Sequence, residues 1–227
     1  MGDLLNFLRT VWAIVGKDVA AELHTREMIN AMLVFSVLVL LVFSFALDLR
    51  GAAARAAAPG VLWATVAFAG TLGLGRSLAR ERQTGCIDGL LLAPVERSAI
   101  LLGKALGNLA FIAVVESLLL PLLSALFGVP LLRPAMLLVT ALGTVGYAVV
   151  GTLLAAIAIN TRAQEVMLPI LLIPLVIPAL IAAVRATGVL VDGGALADVG
   201  GWIRLLVVYD LVIVAVSMLT FGFVVEE

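Results

Sequence analysis

Glu116 and Asp210 each interrupt an otherwise apolar stretch of the chain, Ala105 to Phe127 and Leu205 to Val225. A carboxylate at the centre of a bilayer costs about 2.5–3.5 kcal/mol on insertion scales, so each is expected to face the protein interior or to stay protonated. Such groups can supply a polar lining or gate for a translocated solute. The structural alternative is a hydrogen bond to a neighbouring helix or subunit. Pro169, Pro174 and Pro178 recur along Val166 to Val184. Each removes a backbone donor and crowds the preceding turn, which predicts a bent or broken helix. Breaks are tolerated where neighbours or a cavity satisfy the freed carbonyls, and they suit a moving element; a static kink is the simpler reading.

Few catalytic constellations are available. The chain has one histidine, His24, and one cysteine, Cys86. These exclude the paired-histidine motifs of metalloproteases, an intramolecular disulfide and an all-cysteine metal site. No nucleophile–base pair or metal set stands out, so no catalytic or metal-binding residue is assigned. No Gly-x-x-x-x-Gly-Lys-Ser/Thr phosphate loop occurs. Gly70, Gly73 and Gly75 lie at the end of an apolar stretch, and Gly103 and Gly107 form a Gly-x-x-x-Gly pair; both sets suit close helix packing.

The elements that must position these residues are membrane spans. Of the residues, 63% are hydrophobic and 13% charged, with a mean hydropathy of +1.23. Soluble domains are about 45–50% apolar and about 25% charged, so the bilayer is the solvent that suits this chain. The formal net charge of −1 gives no pointer to nucleic acid. Six spans are expected, near residues 28–47, 57–75, 105–127, 135–159, 166–184 and 205–225, forming one domain across 1–227. Pro59 would fall in the first turn of the second, where a missing N–H costs little.

An amphipathic element over 1–27 precedes them. Leu4, Leu8, Val11, Trp12, Val15 and Val19 share one helical face, with Asn6, Arg9, Thr10, Ala13 and Lys17 on or near the other. Glu22 and Arg26 have the favourable i,i+4 order. Such a helix can lie in the headgroup plane, with Trp12 at the depth indole prefers; packing on a partner subunit is the alternative. The start lacks a basic n-region and is read as part of the mature protein. Basic residues favour both termini in the cytoplasm. Arg9, Lys17, Arg26, Arg76, Arg80, Arg82, Arg97, Lys104 and Arg162 then lie inside, against Arg50, Arg55, Arg133, Arg185 and Arg204 outside.

The stretch 76–104 is the least lipid-like. Gly85 and Gly89 permit turns and Pro94 stops a helix. Between them Ile87-Asp88-Gly89-Leu90-Leu91-Leu92 holds an apolar patch between charges. This patch could dock into a groove on a soluble partner, or pack on its own bundle.

Lys17-Asp18 with Glu22 and Thr25-Arg26-Glu27; Pro59-Gly60-Val61-Leu62-Trp63 leading to Leu72-Gly73-Leu74-Gly75-Arg76-Ser77; Arg80-Glu81-Arg82 with Gly85; Asp88 to Pro94; Arg97-Ser98; Leu102-Gly103-Lys104; and Glu116 with Pro121 form a collinear set. This set resembles the haem exporter protein B family, the permease of the cytochrome c maturation ABC transporter of bacterial inner membranes. The likeness is strongest from Lys17 to Pro121. Cys86 and Ile87 depart from the pattern. The resemblance implies an all-α integral membrane fold, with six transmembrane helices of the ABC type-2 exporter kind and an N-terminal amphipathic interfacial helix. It implies a bacterial inner-membrane location and a separate ATPase subunit that binds the ATP. Arg80, Glu81, Arg82, Gly85, Asp88, Gly89, Leu90, Leu91, Leu92, Pro94 and Arg97 would form the coupling segment. Further membrane partners would handle haem in cytochrome c maturation, and a homodimer is compatible.

Haem is implied as a transported substrate rather than a stably bound cofactor. His24 and Cys86 lie on the wrong side to serve as ligands, so contact would come through apolar and aromatic side chains such as Trp63 or Phe68. Two alternatives stay open: a scaffold that transmits ATP-driven movement without conducting substrate, or a type-2 permease for lipid, drug or polysaccharide.

Overall fold

The computed structural model describes residues 2–46, 51–83, 89, 95–158 and 164–225. Its elements are helices: α1 (Gly2–Thr25), α2 (Glu27–Ala46), α3 (Ala52–Gln83), α4 (Arg97–Phe127), α5 (Pro134–Ala158), α6 (Gln164–Val191) and α7 (Gly200–Val225). A short 3-10 turn, Leu196–Val199, precedes α7. Helices α2 to α7, with that turn, supply six segments long and apolar enough to cross a membrane.

The boundaries follow local chemistry. Arg26 takes a left-handed conformation, φ 54, so α1 stops and α2 starts in a new direction. Glu22 fixes this elbow: its Oε1 accepts the N–H groups of Met28 and Ile29 at 3.0 and 2.9 Å, satisfying two of the otherwise orphaned donors at the start of α2. The Glu22–Arg26 spacing expected to stabilise one continuous helix therefore straddles its end. Gly128, at φ 63, closes α4, and Pro134 opens α5, where a missing N–H is harmless.

Several helices run longer than the apolar stretches. Helix α3 begins at Ala52 and reaches Gln83, so Pro59 lies within the helix rather than in its first turn. Helix α4 starts at Arg97, so both ends of the 76–104 stretch continue neighbouring helices. Helix α6 runs uninterrupted from Gln164 to Val191 through Pro169, Pro174 and Pro178. Of the two outcomes expected of these prolines, a bend or a break, α6 shows no break. In the disturbed turn the Tyr209 hydroxyl of α7 donates to the Leu175 carbonyl at 3.0 Å.

Helix α5 is the centre of the bundle. Its apolar window is 72% buried, against 22% for α2 and for the last span, and it packs on α3, α4, α6 and α7. Small residues let it sit there. The Trp63 indole of α3 lies against Gly143, and Leu74 against Gly151. In return Tyr147 of α5 lies against Gly70, where an added Cβ would stand 2.6 Å from the ring. Without a hydrophobic drive between helices in lipid, this close approach is a principal source of association. Polar side chains add cross-links: Trp63 Nε1 to Thr187 Oγ1 (3.0 Å), Thr71 Oγ1 with Tyr147 Oη (2.7 Å), and Asn108 Nδ2 to Thr152 Oγ1 (2.9 Å). The outward faces of α2 and α7, including Val34, Leu38, Phe45, Leu211 and Leu219, are apolar and exposed, as acyl-chain contact requires.

Candidate functional site

Two groups of buried or partly buried polar residues stand out in the bundle. One lies at the end of the bundle that carries α1, and the other lies within the spans.

At the α1 end, Lys104 is buried in α4 and its Nζ meets both Asp18 carboxylate oxygens, at 2.9 and 2.8 Å. Lys17 Nζ stands 3.1 Å from the same carboxylate. The helices can approach this closely because of Gly103. A Cβ there would lie 2.8 Å from Ile14 Cβ and 3.2 Å from the Val11 carbonyl. A Cβ on Gly107 would stand 3.4 Å from Asp18 Oδ2, an ordinary contact distance. The Gly-x-x-x-Gly pair thus receives α1. Helix α1, the elbow to α2 and the start of α4 form one braced unit.

This brace splits the apolar face read in the sequence. Val11 turns inward with Ile14, while Leu4, Leu8 and Trp12 remain exposed. Sequence reasoning missed the Asp18–Lys104 pair because its partners lie 86 residues apart. The only local signal was a lysine about two turns into a largely apolar helix, where a lone charge demands a partner.

The residues expected to couple to an ATPase lie beside this unit in the chain. Gly85, Asp88, Leu90, Leu91, Leu92 and Pro94 fall outside the described residues, as do the side chains of Arg80, Glu81 and Arg82. Arg80 to Arg82 belong to the last turns of α3, and Arg97 opens α4. Gly89 is exposed, with open space where a Cβ would project.

Within the spans, both acidic residues turn inward. Glu116 of α4 is buried, with Oε1 2.5 Å from Thr144 Oγ1 of α5. The same hydroxyl lies 2.9 Å from the Thr140 carbonyl, and the buried Thr140 Oγ1 one turn away has no hydrogen-bonding partner among the described residues. Asp210 of α7 packs against the Gly146 backbone. Neither of its oxygens finds a partner among the described residues, nor does Ser217 Oγ two turns further on. Thr144 and Gly146 are two residues apart, about 200° around α5, so the two carboxylates flank α5 on different faces and do not share one site.

The aromatic candidates separate as well. Trp63 is an interior residue with its N–H committed to Thr187, whereas Phe68 is 55% exposed on the outside of the bundle. His24 is exposed on α1, and Cys86 lies outside the described residues.

Six apolar helices around a small-residue centre, with inward carboxylates and a braced amphipathic helix at one end, define a multi-pass α-helical membrane protein. The family model described as CcmB protein matches residues 9–226, and the chain belongs to that family. It is 28% identical over 172 residues to Heme exporter protein B of Rhodobacter capsulatus, covering 74% of this chain and 78% of the relative. It is 27% identical over 150 residues to Heme exporter protein B of Pseudomonas aeruginosa, covering 66% and 67%. A third relative of the same name, from Paracoccus denitrificans, is 27% identical over 155 residues, covering 68% and 71%.

Proposed function

We propose that this chain is the membrane-spanning permease subunit of an ABC transporter that delivers haem for c-type cytochrome biogenesis. The observation that carries this reading is the CcmB family match, which runs through all six spans and most of α1. The names of the relatives supply the substrate. ATP is bound and hydrolysed by a separate ATPase subunit. That subunit docks on the segment between α3 and α4, through Arg80 to Arg82, Asp88, Leu90 to Leu92 and Arg97. Movement passes from this segment into the start of α4, which is tied to α1 through Lys104 and Asp18 and thence to α2 through Glu22. The protein resides in the bacterial inner membrane with both termini in the cytoplasm, an orientation supported by the basic residues near α1 and between α3 and α4.

A second reading has support from the packing. Trp63, Tyr147 and Leu74 interlock α3 with α5, so a haem-sized solute cannot pass between these helices unless they separate. This favours a scaffold that conveys movement to a haem-handling partner in the membrane.

Affinity co-purification of the tagged chain from its native membrane tests the proposal. It predicts recovery of a phosphate-loop ATPase together with haem-handling membrane proteins. An ATPase alone leaves the permease and removes support for haem. Neither, from a preparation in which other membrane complexes survive, contradicts the coupling assignment.

A further inference from the structure

The sequence of α1 mixes charges, with Asp3, Asp18 and Glu22 beside Arg9, Lys17 and His24. The fold sorts them. Asp18 turns toward Lys104, and Glu22 turns toward the first N–H groups of α2. Arg9, Lys17 and His24 are exposed. Lys17 Nζ also reaches the Asp18 carboxylate, at 3.1 Å, while its own side chain stays 40% exposed. Among the described side chains of α1, the exposed ionisable groups are the basic types Arg9, Lys17 and His24.

Beside this basic sector runs an exposed apolar stripe: Leu5 (63%), Leu8 (45%), Trp12 (66%) and Leu23 (61%). The inward sector, Val11, Ile14, Asp18 and Glu22, is already occupied by α4 and α2. Three sectors thus face protein, an apolar phase and positive-charge-compatible solvent. A helix with this arrangement lies in the interface, with apolar side chains among the upper acyl carbons and cations at headgroup level. A soluble acidic protein would complement the cations but leave the adjacent leucines and Trp12 unmatched. An anionic lipid satisfies both sectors with one molecule, and Arg presents a fork that fits phosphate.

We infer that the outer surface of α1 is a binding surface for anionic phospholipid headgroups, with Arg9 and Lys17 as the phosphate-contacting cations. Lipid bound there pins the helix that braces α4. The inference is independent of the transported substrate and of the ATPase.

The test is native mass spectrometry of the purified full chain supplied with phosphatidylglycerol or with phosphatidylcholine. The intact protein is expected to retain phosphatidylglycerol preferentially. Arg9→Gln and Lys17→Gln should each lower that retention about fivefold, the effect of roughly one basic residue at an anionic surface. Arg9→Lys should keep most of it, and Arg133→Gln with Arg204→Gln, at exposed sites elsewhere, should leave it unchanged. Equal retention by the Arg9→Gln/Lys17→Gln double variant overturns the inference. So does an equal loss in the Arg133/Arg204 control, which makes the binding non-specific. Loss of a co-purifying soluble protein from the double variant with lipid retention intact assigns the surface to that protein, and also overturns it.

Discussion

Glu116 is the residue where structural and functional readings make different demands. Its hydrogen bond to Thr144 needs only an oxygen acceptor or an amide of the same shape. Glu116→Gln should therefore insert and fold like the parent. If the carboxyl group serves haem delivery, covalent haem in c-type cytochromes should fall at least several-fold in that variant. Unchanged haem attachment, measured on haem-stained membranes, would reduce Glu116 to a helix–helix bond. Gly143 offers a purely steric prediction. A Cβ there meets the rigid Trp63 indole, while at Gly73 it meets the flexible end of Met32. Overpacking costs about 1–3 kcal/mol where neighbours cannot yield. Gly143→Ala should accordingly lower the thermal midpoint in detergent more than Gly73→Ala.

At the scale of elements, the brace between α1 and α4 makes the sharper claim. Removing one member of a buried ion pair costs about 3–5 kcal/mol because the other charge is stranded, whereas replacing both with apolar groups is often nearly neutral. Lys104→Met alone should destabilise the protein and expose α1 to protease. Asp18→Leu with Lys104→Met should recover much of the loss, although Lys17 will respond to the missing carboxylate. Additive losses in thermal unfolding would contradict the pair as the brace. In the segment between α3 and α4 that is proposed to dock the ATPase, alanine at Asp88 or across Leu90 to Leu92 should reduce ATPase association and turnover while leaving insertion intact. Unchanged pull-down and turnover would remove that assignment.

Why some of this was legible in the sequence and some was not has a physical basis. Each span is a local property of about twenty apolar residues, and the six emerged with only their ends displaced. The ends moved because helices such as α3 and α4 run on through charged residues such as Arg76, Arg97 and Lys104, which hydropathy counts as outside a span. The inward turn of Glu116 and Asp210 also followed from the cost of charge in lipid. Their partners did not follow. Thr144, Gly146 and the Asp18–Lys104 pair are long-range choices that only the packing of α1, α4 and α5 reveals. The prolines of α6 do not break the helix, and sequence could not choose between a bend and a break because that depends on what packs around the freed carbonyls.

For the whole molecule, the account is that a CcmB-family bundle converts work done at one membrane face into haem delivery. Deleting the encoding gene in its own host and measuring covalent haem in c-type cytochromes tests this most directly. The account predicts that covalent haem is lost while b-type haem persists, with recovery when the unaltered chain is restored. A deletion strain with its full complement of c-type cytochromes would contradict it.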